Sequence, residues 1–412
     1  MLDRLPDEVL TSIFSYLLAP ATSTGMSARY RLLRAVGRVS RRCALVAQGM
    51  LYETVDMFRL TNVRRFVAAV DTSERARRLA LWRTRSLRLH GCTDRTESIL
   101  PTFFEHLVKR LPGLREIRVH NLRIYALSLG IASRVRACYL RDVTLFISGS
   151  KERVPHLAHL ETLCLANCEL FDTDEKQALP TDNLLCPLAL PNLQRLALTW
   201  TEAESEPHFE SLRTQLTHLF LRRERDRRFD RLVHFTPLPI DDIMELTALQ
   251  HLSVNVCRRD DVESLSQLDR ELVTLRLECD AAHATEVERD LLSNDPHALA
   301  SLDKLFVPAV APDSLEGRYR AGDRQECDDR AIELVEYRAA PSREAVFEFG
   351  DERAWLEMTG ASTFAGLSTP APRSPALRPT VTATATATAS AKVDEDVVML
   401  ILPPVPVKTT TQ

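Results

Sequence analysis

The stretch Leu157-Ala-His-Leu-Glu-Thr-Leu-Cys-Leu-Ala-Asn-Cys168 determines the architecture predicted for most of the chain. Leucines occupy positions 157, 160, 163 and 165, and Cys168 follows three residues after the last of them. Alternate side chains of a β-strand point to the same face, so Leu163 and Leu165 share one face of a short strand. A single unit of this kind cannot bury its apolar face alone, so the pattern predicts that neighbouring units stack beside it.

The same pattern recurs on both sides of this stretch. Leu246 to Cys257 matches it almost position for position, and Leu111 to Leu122 and Leu299 to Val310 are further copies. Looser copies carry two apolar residues in the strand positions: Leu87 and Leu89, Cys138 and Leu140, Leu196 and Leu198, Leu219 and Leu221, Leu275 and Leu277. Repeated strands of this type predict a continuous parallel sheet over one leucine core.

This pattern resembles the leucine-rich repeat family, although its spacing is irregular. The resemblance implies an α/β fold in which residues 80–340 form a solenoid, with a parallel sheet curved into a horseshoe and helices or loops on the outer side. The alternative is another α/β fold with leucine-rich strands. A doubly wound nucleotide-binding sheet is disfavoured because the chain has only 12 glycines and no Gly-x-Gly-x-x-Gly motif.

Side chains between and beside the two leucine positions of each strand would line the concave face of such a sheet. At its N-terminal end the predicted target-binding residues are basic or aromatic: Arg88, His90, Arg118, His120, Tyr139 and Arg141. Arginine forks pair well with carboxylate and phosphate oxygens, so this end could take an acidic or phosphorylated segment. The alternative is that these arginines only solvate an exposed sheet.

The N-terminal residues 2–18, Leu-Asp-Arg-Leu-Pro-Asp-Glu-Val-Leu-Thr-Ser-Ile-Phe-Ser-Tyr-Leu-Leu, predict an amphipathic helix. Pro6 suits a first helical turn, and Asp7 and Glu8 favour the positive end of the helix dipole. A second apolar set between Leu32 and Leu51 also has helical spacing, with Ser40 as a cap or junction near its middle. Three short helices are therefore predicted.

The order of residues in this region resembles the F-box family over residues 1–55. In that family the motif docks on a Skp-type adaptor and so joins a cullin-RING (SCF-type) ubiquitin ligase. Carried over by position, the resemblance implies adaptor contacts from Leu5, Pro6, Ile13, Phe14 and Leu17, and closure of a small core by Val36, Val39 and Leu51. Residues 19–30 would form a longer connection than the family usually has. The alternative is a helical cap that buries its apolar stripe against its own chain.

The remaining segments are predicted from their composition. Residues 56–79 would form a linker or helical connection between the helices and the solenoid, and Ala331 to Arg338 would form one more strand. Residues 341–362 include an apolar group between Val346 and Leu356 that would cap the C-terminal end of the stack. Residues 363–412 are rich in Ala, Thr and Pro, which predicts a disordered tail.

Several functional classes are disfavoured by composition and motif content. A net charge of -4 gives no overall reason to expect nucleic-acid binding, and the run Arg222 to Arg228 interleaves acids as a solvated loop would. No catalytic motif, metal-ligand spacing or cofactor fingerprint occurs. Nine cysteines without a Cys-x-x-Cys pair indicate reduced core residues, and no apolar run is long enough for a bilayer. An intracellular location, cytoplasm or nucleus, is expected.

The expected function is therefore that of a non-catalytic substrate-recognition subunit of an SCF-type ubiquitin ligase. Residues 1–55 would bind the Skp-type adaptor, and the repeat surface would bind a target protein. The alternative is a non-catalytic interaction scaffold independent of ubiquitination. An enzyme hidden in the repeat loops lacks any supporting motif.

Overall fold

The computed structural model describes most of the chain up to Tyr337. The described residues are 5–18, 23–57, 60–91, 101–125, 129–130, 134–147, 156–172, 177–179, 185, 190–201, 209, 212–224, 239–255, 261, 265, 271–279, 287, 289–292, 301–309 and 315–337. The predicted cap at residues 341–362 and the predicted disordered tail at residues 363–412 lie outside them.

Three helices open the described chain: α1 (Asp7–Leu17), α2 (Ser23–Gly37) and α3 (Arg41–Glu53). Pro6 precedes α1, and Asp7 and Glu8 occupy its first turn. Ser40 separates α2 from α3, where its side-chain oxygen accepts a hydrogen bond from the Cys43 N–H at 3.1 Å. The three predicted helices and the Ser40 cap are therefore observed. The expected long connection over residues 19–30 is wrong, because α2 already begins at Ser23.

The small core of this helical module is built from buried residues of all three helices: Leu10, Phe14, Leu18, Leu33, Cys43, Val46, Ala47 and Met50. Helix α3 then leads directly into the first strand, and the Tyr30 hydroxyl of α2 accepts a hydrogen bond from the Asp56 N–H of that strand at 3.2 Å. The helical module is thus joined to the sheet without an intervening linker.

Fifteen strands follow within the described residues. They are β1 (Thr54–Met57), β2 (Ser86–His90), β3 (Glu116–His120), β4 (Arg123–Tyr125), β5 (Ala137–Arg141), β6 (Thr144–Ile147), β7 (Thr162–Ala166), β8 (Glu169–Asp172), β9 (Gln177–Leu179), β10 (Arg195–Thr201), β11 (His218–Glu224), β12 (His251–Asn255), β13 (Thr274–Glu278), β14 (Lys304–Pro308) and β15 (Glu333–Tyr337). The further described helices are α4 (Leu60–Thr72), α5 (Glu74–Arg83), α6 (Pro101–Lys109), Ile240–Glu245 and Leu315–Asp329.

Eleven of these strands form one parallel main sheet in the order β1-β2-β3-β5-β7-β10-β11-β12-β13-β14-β15. The predicted α/β class with a large parallel sheet is confirmed, and each predicted strand pair lies in one of its strands. The sheet begins earlier than residue 80, however, because Thr54–Met57 already pairs with β2. The segment 56–79, predicted to be a linker or helical connection, is largely helical: it contributes helix α4 and the start of α5, and also the end of β1.

The leucine pairs align in continuous rows across the main sheet. Leu163 of β7 pairs in register with Leu196 of β10, which pairs with Leu219 of β11, and Leu252 of β12 follows. All four are buried in the largest apolar cluster of the described residues. Full burial of a leucine side chain contributes about 1.5–3 kcal/mol, so these rows are the main source of stability in the sheet.

A tight turn follows four consecutive strands of the main sheet. Gly91, Asn121 and Asp142 each donate their N–H to the last carbonyl of the next strand, and Asn167 donates to the Thr199 carbonyl near the end of β10. The last three have φ of 51°, a left-handed conformation that Asn and Asp adopt more readily than most residues. After three of these turns the chain enters strands β4, β6 and β8 of a smaller second sheet, which also contains antiparallel β9. These strands differ from the helices or loops that the repeat pattern predicts there.

Candidate functional site

Helix α1 carries apolar side chains on its buried side and also on part of its exposed surface. Leu10, Phe14 and Leu18 recur every four residues and point into the core of the helical module. Beside them on the helix circumference, Val9, Tyr16 and Leu17 are 41%, 83% and 55% exposed. Positions separated by three, four or seven residues share a helix face, so these exposed side chains, with half-buried Ile13 between them, form one apolar face. We call Val9, Ile13, Tyr16 and Leu17 the exposed face of α1.

The predicted adaptor-binding residues of the first segment divide between this face and the core. Pro6 and Leu17 are exposed, whereas Leu5 and Ile13 are half-buried and pack against the core of the helical module. Phe14 is 3% exposed and lies within that core, so its predicted role as a surface contact does not fit its position. Val9 and Tyr16, which were not predicted as contacts, hold the exposed positions instead.

The three residues predicted to close the small core also differ from one another. Val36 and Leu51 are half-buried and pack against it, as expected for closing positions. Val39 is 61% exposed at the junction of α2 and α3, so it does not close the core. Buried Leu33 and Met50 fill that role. Sequence spacing did not separate these cases, because all five residues fit the apolar period of the two helices.

The main sheet has a second face, opposite the leucine core, that carries the residues alternating with the leucines. Its register brings the six predicted target-binding residues together on β2, β3 and β5. Arg88 aligns with Arg118 and Tyr139, and His90 aligns with His120 and Arg141. The guanidinium of Arg118 also lies over the Tyr139 ring, 5.1 Å from its centroid. We call these six residues the arginine end of the second face.

Three carboxylates contact the arginine end, and none of them was predicted. Asp56 lies 3.0 Å from the His90 Nε2, Glu116 pairs with Arg118, and Asp142 lies 3.2 Å from the His120 Nε2. Burial alone would raise the pKa of Asp142, but the hydrogen bond and charge of His120 hold this pKa below its ordinary value. The positive charge is therefore compensated within the fold, and an anionic segment would have to compete with these carboxylates.

Burial limits what the arginine end can contact directly. Arg88, Arg118, Tyr139, His120 and Arg141 are all buried. The interpretation that these arginines only solvate an exposed sheet does not fit their burial. Direct binding of a target at this end would therefore require these side chains to become exposed.

A row of histidine and threonine crosses the same face further along the sheet. His218 of β11 and His251 of β12 stack with ring centroids 4.2 Å apart, and the His251 Nδ1 lies 2.9 Å from the Thr274 hydroxyl. Burial, and then the charges of His251 and Arg195, lower the pKa of His218 to about 3. Burial also lowers the pKa of His251. Both rings are therefore neutral at physiological pH.

In the part of the chain that the structure describes, no cluster of three His, Cys, Asp or Glu residues is arranged to hold a metal ion. No described helix has the length and apolar character needed to cross a membrane. No protein-family model matches the chain, and no curated protein matches its sequence.

Proposed function

We propose that this chain is a substrate-recognition subunit of an SCF-type ubiquitin ligase. In this proposal the helical module docks on a Skp-type adaptor, the second face of the main sheet binds a target protein, and the chain itself catalyses no reaction. The exposed face of α1 carries the proposal. Three large apolar side chains within nine residues, two of them more than half exposed, are unusual unless a partner covers them.

The division of α1 into a buried and an exposed apolar side supports docking over simple capping. A helix that only shields the end of a sheet buries its apolar stripe against its own chain. In α1 the inner residues Leu10 and Phe14 already complete the helical core, and the outer residues remain outside it. An amphipathic helix with such a surface is suited to pack against helices of a partner.

Co-purification of the full chain with a Skp-type adaptor tests the proposal. The variant Val9→Asp/Leu17→Asp places two charges on the exposed face of α1 without entering the core, and we expect it to lose at least about tenfold in affinity, since desolvating a charge at an interface is costly. The control Thr11→Asp/Ser15→Asp adds the same charges at two exposed positions on the opposite side of α1 and should retain binding. Retained binding by the first variant, or equal loss by both, would contradict the proposal.

The alternative of an interaction scaffold also has a specific observation in its favour. The helical module is continuous with the main sheet through β1 and the Tyr30 to Asp56 hydrogen bond, as a capping module would be. If the unmodified chain is soluble and does not bind the adaptor, the scaffold function is the better explanation of the fold.

A further inference from the structure

The helices beside the first strands of the main sheet carry an excess of positive charge. Residues 23–91 contain 15 arginines, no lysine and four acidic residues, which is a net charge of +11 in a chain whose total is -4. The acidic residues cannot balance this charge, since Asp71 already pairs with Arg110 outside the segment and Asp56 lies beside His90. The total charge of the chain therefore conceals a strongly basic end that attracts anionic partners.

Helix α5 turns part of this charge toward solvent, together with a tryptophan. The two buried residues of α5 are alanines on its inner side. Arg75, Arg78 and Trp82 are spaced by three and four residues, so they share the exposed side of the helix. Trp82 is 75% exposed, and the side chain of Arg78 is 73% exposed although it pairs with Glu74. Tryptophan is enriched in binding interfaces because a partner can bury about 150–250 Å² of its surface, so Trp82 marks this side of α5 as an interaction surface.

Helix α3 extends the same surface. A Cβ atom built on Gly49 would lie 3.9 Å from the Arg83 Nε, so α3 and α5 meet at this point. Leu45 lies one turn before Gly49 on the same side of α3 and is 49% exposed, and Arg41, one turn earlier again, is also exposed. Two exposed apolar side chains are thus surrounded by four arginines. We call this surface the tryptophan patch, and its members are Arg41 and Leu45 of α3 with Arg75, Arg78, Trp82 and Arg83 of α5.

We propose that the tryptophan patch binds an acidic protein segment. An apolar side chain of that segment packs on Trp82 and Leu45, and its carboxylates pair with the surrounding guanidinium groups, whose planar forks match carboxylate oxygens. The arginine end of the second face differs, because its arginines are buried beside carboxylates of the fold, whereas those of the patch are exposed. The patch lies outside both the exposed face of α1 and the second face, so this proposal does not rest on the proposed function.

The composition of the patch favours an acidic protein over a nucleic acid. Proteins that bind single-stranded nucleic acid stack successive bases on several aromatic side chains along a basic groove. The patch has one aromatic side chain, Trp82, and its other apolar member is Leu45, which offers no ring for a second base. An apolar side chain of a protein partner covers both residues and removes their surface from water.

Fluorescence anisotropy of a labelled peptide with the full chain tests the proposal. The probe is the synthetic peptide Glu-Glu-Leu-Glu-Glu-Phe-Glu-Glu, which combines carboxylates with two apolar side chains. We expect saturable binding with a Kd below about 1 mM at physiological ionic strength. A second peptide with serine in place of Leu and Phe keeps the charge, and it should bind at least about fivefold more weakly because only the contacts to arginine remain.

Two variants of the patch should each lower the affinity for the first peptide at least about tenfold: Trp82→Ala, which removes the apolar contact, and Arg78→Glu/Arg83→Glu, which repels the carboxylates. The matched control Arg64→Glu/Arg65→Glu reverses the same number of charges at exposed positions of α4 outside the patch. It should lower the affinity less than about threefold, because charges at a distance are screened by salt. All the changed side chains are exposed, so the urea midpoint of each variant should match that of the unmodified chain.

Four results would overturn the proposal. They are no binding of the first peptide, an equal loss of affinity in the α4 control, tighter binding of a single-stranded oligothymidine of about 12 nucleotides that Trp82→Ala abolishes, and a dimer in sedimentation that dissociates in Arg78→Glu/Arg83→Glu. The second result would assign binding to the overall charge, the third would assign the patch to nucleic acid, and the fourth to a second copy of the chain. The adaptor is absent from these measurements, so their failure is distinguishable from a failure of adaptor binding.

Discussion

At the scale of single residues, Gly91 has the most restrictive position among the described glycines. A Cβ atom built on it would lie 1.8 Å from the Asn121 carbonyl oxygen and 2.9 Å from the Leu122 Cδ2. The close approach comes from the turn after β2, where the Gly91 N–H donates to the His120 carbonyl at 2.8 Å. Any side chain at this position must push two adjacent turns of the chain apart.

We therefore expect Gly91→Ala to lower the free energy of unfolding by about 1–3 kcal/mol, the usual cost of overpacking. Gly322→Ala is the matched control, because its Cβ would meet nothing within 4 Å and the residue lies inside the helix Leu315–Asp329. Alanine should stabilise that helix by about 0.5–1 kcal/mol. Urea unfolding of the two variants measures both values. Equal changes in the free energy of unfolding would contradict the close approach of Gly91 to the Asn121 carbonyl.

Single residues also show where the sequence was insufficient for the candidate site. Phe14 and Leu17 fit the same apolar pattern, yet one is in the core and the other is exposed. The spacing of apolar residues gives the angular width of the apolar surface of α1. Which part of that surface α3 covers depends on tertiary packing, which the spacing does not contain. The carboxylates Asp56 and Asp142 are not evident from the sequence for a related reason, because each comes near its histidine only when separate strands align. Glu116 differs, since it pairs with Arg118 two residues along the same strand.

At the scale of elements, nine strands of the main sheet could be predicted because their leucine pairs repeat. Strand β1 was missed because Val55 and Met57 fill the two core positions in place of leucine, and they follow a helix instead of a repeat unit. Strands β4, β6 and β8 have three or four residues each, too few for alternation to be recognised. Their place in the chain is marked by the left-handed turns at Asn121, Asp142 and Asn167, since each of these strands begins two residues after such a turn.

The stacked histidines of strands β11 and β12 make the stability of the fold depend on pH. The ordinary pKa of histidine is 6.5, and in the folded chain the pKa values of His218 and His251 are lower, about 3 for His218. Between these values the unfolded chain binds more protons than the folded chain. Stability is therefore complete above about pH 6.5 and falls as the pH decreases, by up to about 1.4 kcal/mol per pH unit for each such histidine.

Urea unfolding between pH 7.5 and 5.5 tests this dependence above the range in which most carboxylates titrate. We expect His218→Phe, which keeps a ring stacked on His251, to lose less stability over this range than the unmodified chain. His106→Gln changes an exposed histidine of α6 and should leave the dependence as it is. A slope that is unchanged in His218→Phe would show that the buried ring does not titrate as expected.

At the scale of the whole molecule, stability should vary with position along the sheet. Each strand of a stacked array contacts mainly its neighbours, so a central strand is supported on both sides and a terminal strand on one. Leu252 of β12 and Leu334 of β15 occupy the same row of the register, through Leu275 and Leu305. Leu252 is fully buried, whereas Leu334 is half-buried in the last strand of the sheet that the structure describes. The pair is thus matched in residue type and register and differs in its place in the stack.

We expect Leu252→Ala to cost about 2–5 kcal/mol, because it removes transfer free energy and leaves a cavity between β11 and β13. Leu334→Ala should cost less than half as much, since its side chain is already partly hydrated and the end of the stack can relax around it. Urea unfolding gives the two values, and hydrogen exchange of the strand amides shows how far each loss spreads. The end strand should open alone in Leu334→Ala, whereas Leu252→Ala should weaken β11 and β13 as well. Equal costs would mean that β15 is supported on its outer edge too, and so would contradict the expected dependence on position.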